Sequence, residues 1–150
     1  EEREYQYLAI DYLYVHRKLL LPEDLPWLKR LVSTKSWWDS VDGFPNILGD
    51  LALRHPSVRE TMLVWSLDPD FWVRRLAILH QLPLKDRTDR DLLERILENN
   101  LGSREFFINK AIGWALRQFS KTDRGWVADF IERHKERMAP LSLREGSKYL

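Results

Sequence analysis

Two residues one helical turn apart, Trp38 and Asp42, bring together an aromatic ring and a carboxylate. A spacing of four places both side chains on one face of a helix. This pair suits cleavage of a glycosidic bond, because the transition state carries positive charge at the anomeric carbon of the sugar. A carboxylate stabilises that charge and orients or deprotonates the attacking water, and the face of an aromatic ring attracts the same charge.

A structural role for Asp42 stays open beside the chemical one. The residue precedes Gly43 and suits a helix-terminal turn in which neighbouring groups satisfy the carboxylate locally. Trp37 and Val41 share the adjacent helical face, which is the better candidate for the core. Asp39 is predicted to be a first-turn carboxylate that the helix dipole favours.

Adjacent arginines, Arg74 and Arg75, open a second segment of interest. Successive helical residues point about 100° apart, so only one of the two can face a given cleft. We predict that Arg75 contacts a phosphate group, because a guanidinium binds phosphate through two parallel hydrogen bonds. The alternative is a surface arginine paired with Asp68 or Asp70.

A third segment places Lys110, Trp114 and Arg117 along one stripe of a predicted helix. Cations for phosphates and a ring for a sugar or base make a reasonable nucleic-acid surface. The alternative puts Trp114 in the core with the cations reaching to solvent. Gly113 is costly in mid-helix, so it is expected to permit close approach of a neighbouring element or of a ligand.

Helical periodicity dominates the chain and predicts an all-α fold. Pro45 is expected to interrupt the helix that contains Trp38 and Asp42. The pattern fits an α-solenoid of HEAT-like helical repeats with a period of about 40 residues and a concave binding face. Helices are predicted from the N-terminus to about Leu20, over 25–32, 37–42, 46–55, 57–66, 70–82, 89–99, 104–119, 123–137 and 141–149.

The amino-acid composition of the chain excludes several classes of protein. Hydrophobic residues make up 44% of the chain and charged residues 31%, which is typical of a folded globular domain. No apolar run approaches the roughly 20 residues of a membrane span. Cysteine is absent, which excludes disulfides and thiolate chemistry and favours a cytoplasmic protein. The four histidines lack helical i, i+4 spacing, so neither a metal nor another cofactor is expected.

The charge is unevenly distributed although the net charge is only +1. Residues 1–100 carry 14 basic and 17 acidic side chains, whereas residues 101–150 carry 10 and 6. The positive bias of the last third suits contact with a polyanion, and ordinary solvated helix faces are the alternative.

Three segments in order resemble the AlkD-like DNA alkylation repair family: KSWWDSVD (35–42), FWVRRLAIL (71–79) and FFINKAIGWALRQFSK (106–121). The opening EEREYQYLAIDYL and the final SLREGSKYL also resemble stretches of that family, so the resemblance covers essentially the whole chain. The resemblance implies a solenoid whose concave basic face grips duplex DNA. It also implies excision of cationic alkylpurines, such as 3-methyladenine and 7-methylguanine, without flipping the base.

The resemblance also assigns roles to residues. It implies that Asp42 is the catalytic aspartate, that Trp38 and Trp114 contact the sugar of the damaged nucleotide, and that Arg75 and Arg117 contact DNA. Residues 1–150 are expected to form one domain, the C-terminal two-thirds of the family fold, without the family's first helices. A monomer that binds alkylated duplex DNA and no membrane is expected.

Two other functions are compatible with the residues. The first is a non-catalytic helical-repeat binder of bent or branched DNA, against which Asp42 argues, because an anion in a phosphate groove is costly. The second is a protein-binding helical-repeat scaffold, which predicts that Trp38 and Trp114 are buried and do not converge.

Overall fold

The computed structural model describes residues 3–150, and every regular element in that range is a helix. The all-α helical-repeat prediction is confirmed. None of these helices has the length and apolar character needed to cross a membrane. The α-helices are α1 (Glu4–Val15), α2 (Leu25–Val32), α3 (Trp38–Val41), α4 (Pro45–Arg54), α5 (Val58–Trp65), α6 (Phe71–Leu79), α7 (Arg90–Glu98), α8 (Phe106–Phe119), α9 (Arg124–His134) and α10 (Pro140–Gly146).

Short polar side chains and prolines set most of these boundaries. The carboxylates of Asp70, Asp89 and Asp123 accept hydrogen bonds from backbone amides in the first turns of α6, α7 and α9. Pro45 occupies the first position of α4, where its missing N–H costs nothing. The predicted interruption after Asp42 is therefore confirmed, and it ends α3 after a single turn.

The first helix is shorter than predicted. It ends at Val15 instead of continuing to about Leu20, and Arg17–Leu19 form a 3₁₀ turn. The guanidinium of Arg54 donates to the carbonyl oxygens of Arg17 and Leu20 at 2.8 and 3.1 Å. These bonds satisfy carbonyls at the end of the turn and tie it to α4.

The helices form two rows over one continuous core. In the first row α3 packs against α6, α6 against α8, and α8 against α10. In the second, α5 packs against α7, and Arg133 of α9 forms an ion pair with Glu94 of α7. Fully buried side chains from both rows fill the space between them, among them Leu76, Leu97 and Phe130.

Gly113 allows α8 and α10 to approach closely. A Cβ atom on Gly113 would lie 2.6 Å from the Cβ of Glu145, a separation that packed side chains do not reach. The sequence left open whether this glycine makes room for a neighbouring element or for a ligand, and the neighbour is α10. The close contact brings Glu145 to the stripe that carries Trp114.

His80, just after α6, is buried and neutral. Its Nδ1 lies 2.6 Å from the carbonyl oxygen of Ala77. Desolvation by burial lowers the pKa of His80 from 6.5 to about 4. In the unfolded chain the ring takes up a proton near its ordinary pKa, so acid favours unfolding over the interval between these two values.

We therefore expect the free energy of unfolding to fall by about 1.4 kcal/mol between pH 7.5 and 5.5 through this one side chain. The sign follows because the unfolded state binds more protons than the folded state in that range. Urea unfolding at both pH values measures the change, and the His80→Asn variant removes this titration. An equal fall in the variant would show that other groups cause the acid sensitivity.

Candidate active site

The centre of the site is a two-point ion pair between Asp42, which follows α3, and Arg75 of α6. The Nε and Nη2 atoms of Arg75 donate to Oδ1 and Oδ2 of Asp42, both at 2.8 Å. The third nitrogen, Nη1, donates to the carbonyl oxygen of Phe107 at 2.6 Å. The Arg75 side chain is 2% exposed and that of Asp42 18%, so the carboxylate faces solvent with the guanidinium behind it.

This geometry corrects the surroundings expected for Arg75. The surface pair with Asp68 or Asp70 is not formed, because Arg75 pairs with Asp42 instead. The phosphate contact stays a prediction. Because α6 packs between α3 and α8, the arginine points inward, and it is Arg74 that donates to the backbone carbonyl of Asp68. The local-capping interpretation of Asp42 is also wrong, since its partner lies on another helix.

Trp114 of α8 flanks the pair. Its ring centroid is 5.3 Å from Cζ of Arg75, and the half-buried indole lines the same open cleft as Asp42. The cleft has a volume of about 580 Å³. The scaffold hypothesis predicted that Trp38 and Trp114 are buried and do not converge. Trp114 is only half-buried, and its ring stands beside Asp42 and Arg75.

Trp38 projects into solvent one turn before Asp42. The amide of Asp42 donates to the carbonyl oxygen of Trp38 at 2.9 Å, so the two residues occupy successive turns as the spacing predicts. The indole is 47% exposed, which contradicts the burial that the scaffold hypothesis requires. The Trp38 ring does not line the cleft that Asp42 and Trp114 share. The two tryptophans therefore do not meet in one cleft, although the glycosylase hypothesis expected both rings there.

Trp37 was expected in the core together with Val41, and only Val41 is buried there. Trp37 has extended backbone angles and precedes the first turn of α3, so it leaves the helical face that Val41 occupies. Its half-exposed ring instead lies 5.5 Å from that of Phe107 and 5.9 Å from that of Trp72.

Asp39 lies in the first turn of α3, as predicted, and anchors that short helix to α1. The Arg3 guanidinium and the Tyr7 hydroxyl both donate to its carboxylate. The hydrogen-bonded Arg3 lowers the pKa of Asp39 to about 2. A four-residue helix has little stability of its own, so these bonds help to fix the turn that carries Trp38 and Asp42.

Lys110 and Arg117 stand on either side of Trp114 and share one acidic partner. Nη1 of Arg117 lies 2.8 Å from Oε2 of Glu145, and Nζ of Lys110 lies 3.5 Å from Oε1. The Lys110 ammonium is also 5.9 Å from the centroid of the Trp114 ring. The predicted stripe therefore exists as an ordered surface, with its two cations held by α10.

Two lysines of the cleft and Glu145 were not predicted from the sequence. Lys121 and Lys148 line the cleft with Arg117, and the Lys121 ammonium lies 5.5 Å from the ring of Tyr149. Lys121 continues the stripe of Lys110 and Arg117 just beyond α8, so the helical spacing held a signal for it. The positive bias of residues 101–150 was a second signal. For Glu145 we find no sequence signal.

Fold and site together define a helical-repeat protein with an aspartate, a tryptophan and several cations around an open cleft. A family model described as DNA alkylation repair enzyme matches residues 1–150. The chain belongs to this family, as its motifs predicted.

A solved structure supports the assignment. It is titled "Predicted DNA alkylation repair enzyme from Enterococcus faecalis" and is 41% identical to this chain. The match has a TM-score of 0.91 and covers 99% of this chain and 70% of that one. A comparison with curated proteins gave no match.

The Asp42–Arg75 pair leads to a prediction about stability. Arg75→Gln should lower the free energy of unfolding by about 3 kcal/mol, because it removes one partner of a largely desolvated pair. Adding Asp42→Asn to this variant should restore part of the loss, since no unpaired carboxylate then remains. Urea unfolding of both single variants and the double variant gives the coupling energy. Strictly additive losses would contradict a direct interaction.

Proposed function

We propose that this protein is a DNA glycosylase that hydrolyses the N-glycosidic bond of cationic alkylated purines, such as 3-methyladenine and 7-methylguanine, in duplex DNA without base flipping. The observation that carries the proposal is the carboxylate of Asp42, held by buried Arg75 at an open cleft beside Trp114. Membership of a DNA alkylation repair enzyme family makes damaged DNA the appropriate substrate class.

The chemistry of the substrate explains why so few groups suffice. In a cationic alkylpurine the glycosidic electron pair moves onto a positively charged base, which leaves neutral. No general acid is then needed to protonate the leaving group. What remains is a sugar with positive charge at its anomeric carbon, which takes the oxygen of a water molecule and releases a proton.

Asp42 is proposed to act on that sugar and that water. Arg75 binds one lone pair of each carboxylate oxygen, and the other lone pairs remain for a water molecule and for the developing charge. Because both oxygens are held by a buried group, the carboxylate does not need to reorganise during the reaction. We therefore assign Arg75 the role of positioning Asp42, in place of the phosphate contact.

The tryptophans and cations are proposed to place the DNA. The rings of Trp114 and Trp38 offer faces to the sugar of the damaged nucleotide, where a π-system attracts positive charge. Arg117 and Lys110 lie beside Trp114 and supply contacts to phosphate. An open cleft suits a base that remains stacked, since such a reaction needs access to the sugar and no enclosed binding site for the base.

The decisive test is release of 7-methylguanine from alkylated duplex DNA by the unaltered chain and by Asp42→Asn. We expect release by the first and a loss of at least about 100-fold in the second, the typical effect of removing a positioned acid–base group. Asp50→Asn is the matched control, because Asp50 also pairs with an arginine, Arg54, but lies outside the cleft.

The other outcomes separate the competing functions. Equal release by the unaltered chain and Asp42→Asn would disprove the role of Asp42. Binding of duplex DNA without release would favour the non-catalytic binder, and binding that is strongest on bent or branched DNA would identify its ligand. Failure to bind any DNA would contradict the proposal as a whole.

Trp38 provides a second prediction. Trp38→Ala should slow excision about tenfold or more while changing the free energy of unfolding by less than about 0.5 kcal/mol, because the ring is 47% exposed. Trp27→Ala is the matched control, because its ring is similarly exposed, at 51%, but lies on α2 and not on the turn that carries Asp42. Single-turnover excision and urea unfolding measure both quantities. Equal slowing by the two variants would show that Trp38 has no specific role.

A further inference from the structure

Glu145 is a carboxylate in the middle of a surface otherwise suited to bind phosphate. Its side chain is 16% exposed and lies between Lys110 and Arg117. The missing side chain of Gly113 lets α10 come close enough to hold the carboxylate there, since a Cβ atom at that position would lie 2.6 Å from the Cβ of Glu145. The acidic group is therefore fixed by the packing of two helices.

The two cations are only partly satisfied by this partner. Arg117 gives one of its nitrogens to Glu145, and the guanidinium carries further N–H donors. The Lys110 ammonium lies 3.5 Å from the carboxylate, a distance longer than a strong charge-assisted hydrogen bond. Each of the two side chains is 28% exposed, so an incoming anion can reach it.

We infer that Glu145 competes with DNA phosphate for Arg117 and Lys110, and thereby weakens the binding of duplex DNA of any sequence. A carboxylate and a phosphate are accepted by the same guanidinium and ammonium donors. Phosphate must therefore displace Glu145 or bind a pair of cations that is already partly neutralised. The inference rests on the proposed function in taking duplex DNA as the ligand.

Because Trp114 lies between the two cations, this competition affects how well the protein discriminates damaged from intact DNA. Contacts to phosphate carry no information about damage, and they hold a protein equally on intact and alkylated DNA. A carboxylate that offsets part of this attraction increases the share of affinity that must come from Asp42 and the aromatic rings. The protein then releases undamaged duplex more readily.

The competing explanation is that Glu145 only holds Lys110 and Arg117 in place. This explanation makes the opposite prediction. If the carboxylate served only to order Lys110 and Arg117, its loss would let both side chains move and would weaken DNA binding. The direction of the change in affinity therefore distinguishes the two explanations.

The test measures binding of an undamaged, fluorescently labelled duplex by Glu145→Gln over a range of salt concentrations. We expect roughly three- to tenfold tighter binding at low salt, and a log–log salt slope steeper by up to about one unit, since each phosphate contact contributes roughly 0.9. Glu132→Gln is the matched control, because it removes the same charge from an exposed pair with Lys135 on the neighbouring helix.

Two further variants keep the test decisive. The aspartate side chain of the Glu145→Asp variant is too short to reach both cations, so this variant should also bind DNA more tightly. It provides a second measurement in case Glu145→Gln does not fold. In the Arg117→Gln background, Glu145→Gln should tighten binding much less, because the main group it releases is gone. A long-range charge effect would instead give the same gain in both backgrounds and an equal gain in Glu132→Gln.

Unchanged or weaker binding by folded Glu145→Gln and Glu145→Asp would overturn the inference and leave the glycosylase proposal intact, because excision by the unaltered chain is measured separately. No binding of duplex DNA by the unaltered chain would overturn both.

Discussion

The two hydrogen bonds between Arg75 and Asp42 are the interaction on which the site depends. A buried guanidinium needs a compensating anion, and a partly buried carboxylate needs a compensating cation. Arg75 and Asp42 therefore compensate each other's charge. Their geometry also requires α3, α6 and α8 to pack in one fixed order, because Arg75 reaches Asp42 on one side and the carbonyl oxygen of Phe107 on the other.

The helical-repeat architecture makes this arrangement possible. Successive helices of the first row each contribute one part of the site: the turn after α3 supplies Asp42, α6 supplies Arg75, α8 supplies Trp114 and α10 supplies Glu145. Parts that lie on neighbouring helices keep their spacing as long as the helices stay packed. Gly113 allows the close approach of α8 and α10, and so controls how near the acidic side chain of α10 comes to the cations of α8.

Sequence alone predicted what is local and periodic. Helical periodicity located most of the helices, Pro45 located the end of the short helix α3, and the spacing of four placed Trp38 and Asp42 on successive turns. The sequence pattern misplaced Trp37, because the residue before a helix leaves the helical face, and it gave the wrong ion-pair partners for Arg75. A partner that lies 33 positions away cannot be recognised from spacing, so Asp68 and Asp70 were the natural candidates. Glu145 was missed for the same reason.

The most direct test of this account compares excision rate with DNA affinity in Arg75→Lys, which keeps the positive charge but cannot form two parallel hydrogen bonds to Asp42. We predict that the single-turnover rate of 7-methylguanine release falls by at least about tenfold while the dissociation constant for intact duplex DNA stays the same. A weaker dissociation constant with an unchanged rate would contradict the account, because Arg75 would then contact phosphate rather than position the catalytic carboxylate.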